Sequence, residues 1–552
     1  MNQRRSAIRS LPPDVEKARA VQMADSLGLR IRMVSSDGRI SEIRRLNPFG
    51  NPEYLTTHNS NAAKTVSTDK VKVNGGSGYD LSGNGIVVGL WDGGVFRDTH
   101  VEFEDRGIVI DESADVVGHA THVAGTIGAR GIDAKAEGMS PAAILEGYHW
   151  DSDLIEMDMA AGEGLLLSNH SYGFVVGWDY NDNNSDEARW EWYGELNVSE
   201  EEEFLFGFYH REAHDYDRIA YKNPHYLIVK SAGNDRGEGP SPGAEHYVWE
   251  NGDWQSSTEV RQKDGGDDGF DSMGPVSTAK NILAVGAIRD LPLGYTSPEN
   301  VMLTSFSAFG PTDDGRVKPD LVANGDVLYS SYSGSDTDYR NSSGTSMSAP
   351  NVTGSLALIQ QHHYNMHDSY LTSAALKGLV LHTADEAGNP GPDYKFGWGV
   401  LNTLSAVDLI SDGSFDRIRE DSIGEGEEYR VWLYSNGTDP VKVTICWTDP
   451  RGIVPESALD PVTRILVNDL DLRLEREIDG YEFQPFILDP LHPDDPAVSG
   501  DNLVDNVEQV FIQSPQKGFY ELIVSHKETL ANDGQNFAMI ISGLTDEFFA
   551  TG

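Results

Sequence analysis

Residues 85–92 read GIVVGLWD. The run is apolar almost throughout and stops at a carboxylate, Asp92. A strand with one wet face alternates apolar and polar residues, whereas a strand covered on both faces does not. The stretch therefore predicts an inner strand of a parallel sheet with Asp92 at its carboxyl end. Four more runs share the texture: AAILEGYHW (142–150), LLLSNHSYG (165–173), YLIVKSAGN (226–234) and ILAVGAI (282–288). Helical patterns lie between them, at residues 121–129, 153–163 and 200–221. Strands alternating with helices predict an open α/β sheet, mostly parallel, with helices on both faces. In such sheets the reactive groups gather beyond the carboxyl ends of the strands, where Asp92, Ser171 and Asn234 fall.

Outward from this block the texture changes twice. Toward the C-terminus, TSMSAPNVTGSLALIQQHHY (345–364), SAALKGLVLHTAD (373–385) and FGWGVLNTLSAVDLI (396–410) read as helical and close the unit near residue 410. Beyond it come YRVWLYS, VKVTICWTD, ILVNDLDLRLERE, VEQVFIQS, YELIVSH and NFAMIISGL, separated by turn residues. Several strands of this length predict a β-sandwich over residues 411–552. Toward the N-terminus, residues 1–73 stand apart from this α/β block, 74–410. The first fifty residues carry ten Arg or Lys against five Asp or Glu, in a chain of formal net charge −46. RIRMVSSDGRISEIRRL (30–46) reads as a hairpin, and NPEYLTTHNSNAAKTVSTDK (51–70) as a connector with a short helix. A basic module of this kind can dock on an acidic body, or be a simple basic arm. The run SEEEEF (199–204) reads as a solvated helix face or first turn.

At 552 residues the chain is too long for one core. Its charge repels nucleic acid and anionic membrane surfaces and favours cations. The single cysteine, Cys446, allows no intrachain disulfide or multi-cysteine metal site, and reads as a small buried hydrophobe. No apolar run is long enough to span a membrane, and the N-terminus has no apolar signal core.

GTSMSAP (344–350) holds Ser346 at the start of a helix, where free N–H groups and the dipole favour an oxyanion. A serine needs a base, usually a histidine oriented by a carboxylate. GHATHVAGT (118–126) offers His119 and His122, three apart on one helix, and GLWDGG offers Asp92.

Asp92 in VVGLWDGG, His119 in GHATHVAGT and Ser346 in GTSMSAPNVTG, in that order, resemble the subtilisin-like serine proteases, the subtilases. KSAGND (230–235) is a fourth match. The resemblance covers about residues 80–408 and implies an enzyme, a serine endopeptidase acting on polypeptides. Asp92 is then the orienter, His119 the general base and acid, and Ser346 the nucleophile. Asn234 and the Ser346 N–H hold the oxyanion. LSNHSYG (167–173) resembles the family's edge strand, which pairs with extended substrate. Ser171, Tyr172 and Gly173 then form one wall of the specificity pocket, with Ala232 and Gly233 opposite. Asp235 either favours a basic side chain there or is a solvated loop carboxylate. The family's glycine between base and threonine is Ala120 here, a change expected to be tolerated.

The C-terminal region is similar to the β jelly roll of some secreted bacterial subtilases. That implies structural calcium, with Asp469, Asp471 and Asp449 as candidate ligands. The N-terminal region matches a prosegment in position, acting as inhibitor or chaperone and cut somewhere between residues 55 and 75. A secreted monomer whose signal peptide has been removed is the expected form, with no organic cofactor and no nucleic acid or membrane partner. Two rivals stand beside this reading. A zinc hydrolase using His119, His122 and Asp92 lacks the HExxH glutamate. A binding protein on a protease scaffold is opposed by the complete set of triad residues.

Overall fold

The computed structural model describes residues 19–24, 31–34, 40–46, 52–57, 63–181, 189–413 and 416–546. Its centre is a seven-stranded parallel sheet. In chain order the strands are β1 (Val87–Asp92), β2 (Gly107–Val109), β3 (Ile144–His149), β4 (Leu167–His170), β5 (Leu227–Ser231), β6 (Leu283–Ile288) and β7 (Leu321–Asn324). Across the sheet they run β7-β6-β5-β4-β1-β3-β2. Every residue of β4, β5, β6 and β7 is buried, so both faces are covered, as the unbroken apolar runs require. In register, Asp92 sits opposite His149 at the carboxyl edge of β1.

Two helices carry the motifs. Helix α1 (Gly118–Gly128) is buried along its length, and helix α2 (Thr345–His367) is buried from Thr345 to Gln360. A helix apolar or small all round belongs inside a layered domain. Residues 153–163 form a helix, Asp153–Gly162, but residues 200–210 do not: that helix is Arg211–Lys222. Phe204, Phe206 and Phe208 are buried at a spacing of two, and Gly207 takes φ +68°, so this stretch runs as irregular chain into the core. Glu203 in SEEEEF is likewise buried rather than solvated, accepting from the Leu205 N–H at 2.9 Å.

The C-terminal region is two four-stranded antiparallel sheets around their own core, a β-sandwich. Its strand Gly534–Ser542 is buried continuously from Phe537 to Ile541, with both faces apolar. Phe537, Met539 and Ile541 enter the sandwich core, while Ala538 and Ile540 join the core of the sheet domain. Cys446 does the same on the neighbouring strand, and burial pushes its thiol up to about 12. The helix Ser373–His382 seals this junction: a Cβ on Gly378 would sit 2.7 Å from Ile540 and 3.0 Å from Cys446.

Of the N-terminal region, the two hairpin strands Arg32–Val34 and Ile40–Leu46 are paired antiparallel; their turn and residues 51 and 58–62 of the connector lie outside the described residues, and the connector's short helix is Thr68–Val71. The strand Pro52–Thr57 pairs with Ile40–Leu46 on one side and with Tyr172–Val175 on the other.

Candidate active site

Asp92 ends β1 and is wholly buried. Its Oδ1 accepts from the Gly93 N–H at 2.7 Å, which leaves Oδ2 for His119 Nδ1, 2.6 Å away. His119 is the second residue of α1 and is 3% exposed. The helix start is fixed by Gly118, where a Cβ would overlap the Tyr332 ring. A carboxylate on Nδ1 sets the tautomer that leaves Nε2 as the acceptor, the form a general base needs. Ala120, where the family's motif has glycine, is buried in the core.

Ser346 is the second residue of α2, after Gly344 at φ 144°. Its hydroxyl donates to the Ser171 carbonyl at 3.0 Å, and the Ser171 hydroxyl donates back to the Ser346 carbonyl at 2.8 Å. Pro350 explains why that carbonyl is available: in a regular helix it would accept from the N–H four residues on, and proline has none. The proline of GTSMSAP thus frees the acceptor that pins Ser346 to the end of β4.

Asn234 follows β5 and is half-buried. Its Oδ1 accepts from the Thr345 N–H at 2.8 Å and the Thr345 hydroxyl at 2.9 Å. A backbone N–H can only donate, so the amide oxygen is spent on Thr345 and the NH₂ group is turned away as a donor. Gly233, at φ +130°, donates its N–H to the Thr345 hydroxyl at 3.2 Å.

Of the other expected wall residues, Ser171 and Gly173 stand at the edge strand, but the Tyr172 ring points inward. Its hydroxyl donates to Asp153 at 2.9 Å and lies 2.9 Å from His170 Nδ1. Alternation explains it: neighbours on a strand face opposite ways. Ala232 is also wholly buried, its N–H continuing the sheet to the Val285 carbonyl at 3.0 Å. Asp235 is buried rather than solvated.

Sequence reasoning passed over Lys230, the one charge within the apolar run YLIVKSAGN. It is buried and its ammonium binds the Tyr172 carbonyl, tying β5 to the edge strand. Burial lowers it to about 7, against the pull of Asp153 and Asp235. His122 is a packed core histidine. Burial lowers it to about 3, and its Nε2 lies 3.2 and 3.1 Å from the Leu328 and Arg340 carbonyls. That orientation, with Nε2 turned to carbonyls, gives no support to a zinc pair with His119.

The three acids expected to hold calcium do not converge on a cation site among the described residues. Asp449 is wholly buried and pairs with Lys280, while also accepting from the Val467 and Asn468 N–H groups at 2.9 and 2.8 Å. Asp469 faces Arg464 at 3.2 Å and Lys527 at 3.6 Å, and Asp471 faces Arg473 at 2.9 Å and Lys527 at 2.5 Å. Each of the three is thus paired with a cationic side chain.

Residues 83–399 match the model of the subtilase family, peptidase S8. The chain belongs to the subtilase family. The serine protease/ABC transporter B family protein tagA of Dictyostelium discoideum is 26% identical over 514 residues, 76% of this chain and 28% of its own length. Serine protease AprX of Bacillus subtilis is 25% identical over 60% of this chain and 68% of its own. An extracellular serine protease of Serratia marcescens is 40% identical over 70 residues, 13% of this chain and 6% of its own. This subtilase therefore spans little more than a quarter of the Dictyostelium relative.

Proposed function

We propose that this subtilase is a secreted serine endopeptidase of broad range that cuts polypeptides through an acyl-enzyme on Ser346. The observation that carries the reading is the buried 2.6 Å contact of Asp92 with His119 Nδ1, in a chain whose serine motif stands at a helix N-terminus pinned to β4. In the proposed sequence, Ser346 Oγ leaves Ser171, gives its proton to His119 Nε2 and attacks the peptide carbonyl. The C–O bond forms as the carbonyl π pair moves onto oxygen. The Asn234 NH₂ and the Ser346 N–H stabilise that oxyanion. Collapse breaks the C–N bond, and His119 returns the proton to the leaving amine. Water, deprotonated by His119, then hydrolyses the ester and restores Ser346.

Substrate would lie extended along Ser171 to Gly173 by strand addition. The N-terminal strand Pro52–Thr57 already pairs with that edge, Thr56 opposite Gly173. That pairing supports residues 1–73 as an inhibitor or chaperone of the same chain, acting by competition for the groove. Secretion is supported by the extracellular relative from Serratia, and a monomer is the simplest assembly of this reading. The test is hydrolysis of a denatured protein by the purified chain, with the product ends mapped. Ser346→Ala is expected to abolish it, and turnover that persists in that variant overturns the mechanism.

A further inference from the structure

Outside the triad, one group of carboxylates has the make-up of a hard-cation site. Asp271, Asp313 and Asp460 each offer an oxygen, and the three oxygens lie within 4.8 Å of one another. The first two belong to the sheet domain. The Asp271 N–H donates to the Gly310 carbonyl at 2.9 Å, and the Asp313 N–H to the Gly207 carbonyl at 3.1 Å, so their loops are tied together. Gly207, at φ +68°, is the floor beneath them: a Cβ there would overlap Oδ1 of both Asp271 and Asp313. Asp460 arrives from the other domain, on the loop between the strands Val441–Cys446 and Leu470–Arg476.

Both oxygens of Asp313 are sealed from solvent and accept no hydrogen bond among the described residues. No Lys or Arg among those residues pairs with any of the three acids. The cation in the neighbourhood, Arg316, is bound to Asp314 at 2.9 Å. Glu202 adds a fourth negative charge close by. Three carboxylates without a counter-charge repel one another, and burying a carboxylate that accepts no hydrogen bond is costly. A bound cation removes that conflict.

We propose that Asp271, Asp313 and Asp460 bind one calcium ion that clamps the loop of the β-sandwich to the sheet domain. An all-oxygen donor set selects a hard ion over zinc or copper. Carboxylates from three separate loops suit calcium, whose oxygen shell is flexible, whereas magnesium demands near-ideal octahedral geometry and keeps its waters. The site shares no residue with Asp449, Asp469 and Asp471, and it does not depend on the proteolytic reading.

The experiment uses the full chain carrying Ser346→Ala, so that no self-digestion intervenes. Chelator-stripped protein is titrated with radioactive calcium by equilibrium dialysis, and melted with and without millimolar calcium. The same is done with Asp460→Asn, on an exposed loop, and with Asp313→Asn. The parent is expected to bind calcium and melt higher in its presence. Each variant should bind one ion fewer per chain, or roughly tenfold more weakly or worse, and lose that part of the melting shift. In chelator the variants should melt no lower than the parent, because each removes a repelling charge; a core defect would lower the melt there. Calcium binding of unchanged stoichiometry and affinity in both variants, or none by the parent, overturns the proposal.

Discussion

Replacing Lys280 by methionine should loosen the whole molecule, because this side chain joins the two domains. Its ammonium is wholly buried and donates to Asp449, to the Pro450 carbonyl at 2.7 Å and to the Ile465 carbonyl at 3.0 Å. Methionine keeps most of the packing and removes the charge. The lost charge-assisted bond is worth about 2 kcal/mol and the two stranded carbonyls about 1 kcal/mol each. The sum, about 4 kcal/mol, falls within the range for breaking a buried pair. Asp449 keeps its two backbone donors, but burial already raises its carboxyl, and without Lys280 it rises further. A carboxyl raised above its unfolded value favours the native state as pH falls. The deficit should therefore be largest at neutral pH and shrink toward the carboxylate range. The assay is urea unfolding of the Ser346→Ala chain, followed by the fluorescence of its buried tryptophans, among them Trp91 in β1 and Trp447 in the sandwich. The parent should unfold in one step, since Ile540 and Cys446 of the sandwich lie in the core of the sheet domain. A deficit under about 1 kcal/mol at neutral pH would refute the reasoning. So would separate unfolding of the two domains with neither step shifted by Lys280→Met.

Three further outcomes follow from the site. Asn234→Ala should lower kcat about 10²–10³-fold with little change in KM, a magnitude carried over from subtilisin's own oxyanion asparagine; steady-state kinetics on a peptide substrate decide it. Gly118→Ala should push α1 off the Tyr332 ring, costing roughly 1–3 kcal/mol in unfolding experiments and displacing His119 enough to cut kcat/KM by more than about tenfold. Lys230, lowered to about 7 by burial, is neutral in the native state at a pH where the unfolded chain still binds its proton. Stability should therefore rise with pH between about 7 and 10.4, by up to about 1.4 kcal/mol per unit, and Lys230→Met should flatten that slope. A variant with an unchanged slope would show that Lys230 does not titrate there.

Much of the sheet was legible because fully covered strands leave continuous apolar runs, and β1, β3, β4, β5 and β6 each have one. Gly107–Val109 and Leu321–Asn324 were not, being too short to show a period. The helix expected from residue 200 failed on Phe204, Phe206 and Phe208, whose spacing of two contradicts a helical period. In the site, strand ends and helix starts marked Asp92, His119, Asn234 and Ser346. Pocket walls were harder, because alternation along the edge strand turns the Tyr172 ring inward. The cation site was hardest. Nothing local tells Asp469, faced by Arg464 and Lys527, from Asp313, faced by two other acids. Only the fold brings such partners together from separate loops.

The central claim is that Ser346 is the nucleophile and that His119, held by Asp92, activates it. A serine-directed fluorophosphonate tests this most directly, with the labelled residue read by peptide mapping on the parent, His119→Ala and Ser346→Ala chains. The account predicts one adduct, on Ser346, formed far more slowly in His119→Ala and absent from Ser346→Ala. An adduct on another residue, or equal labelling of the parent and His119→Ala, would contradict it.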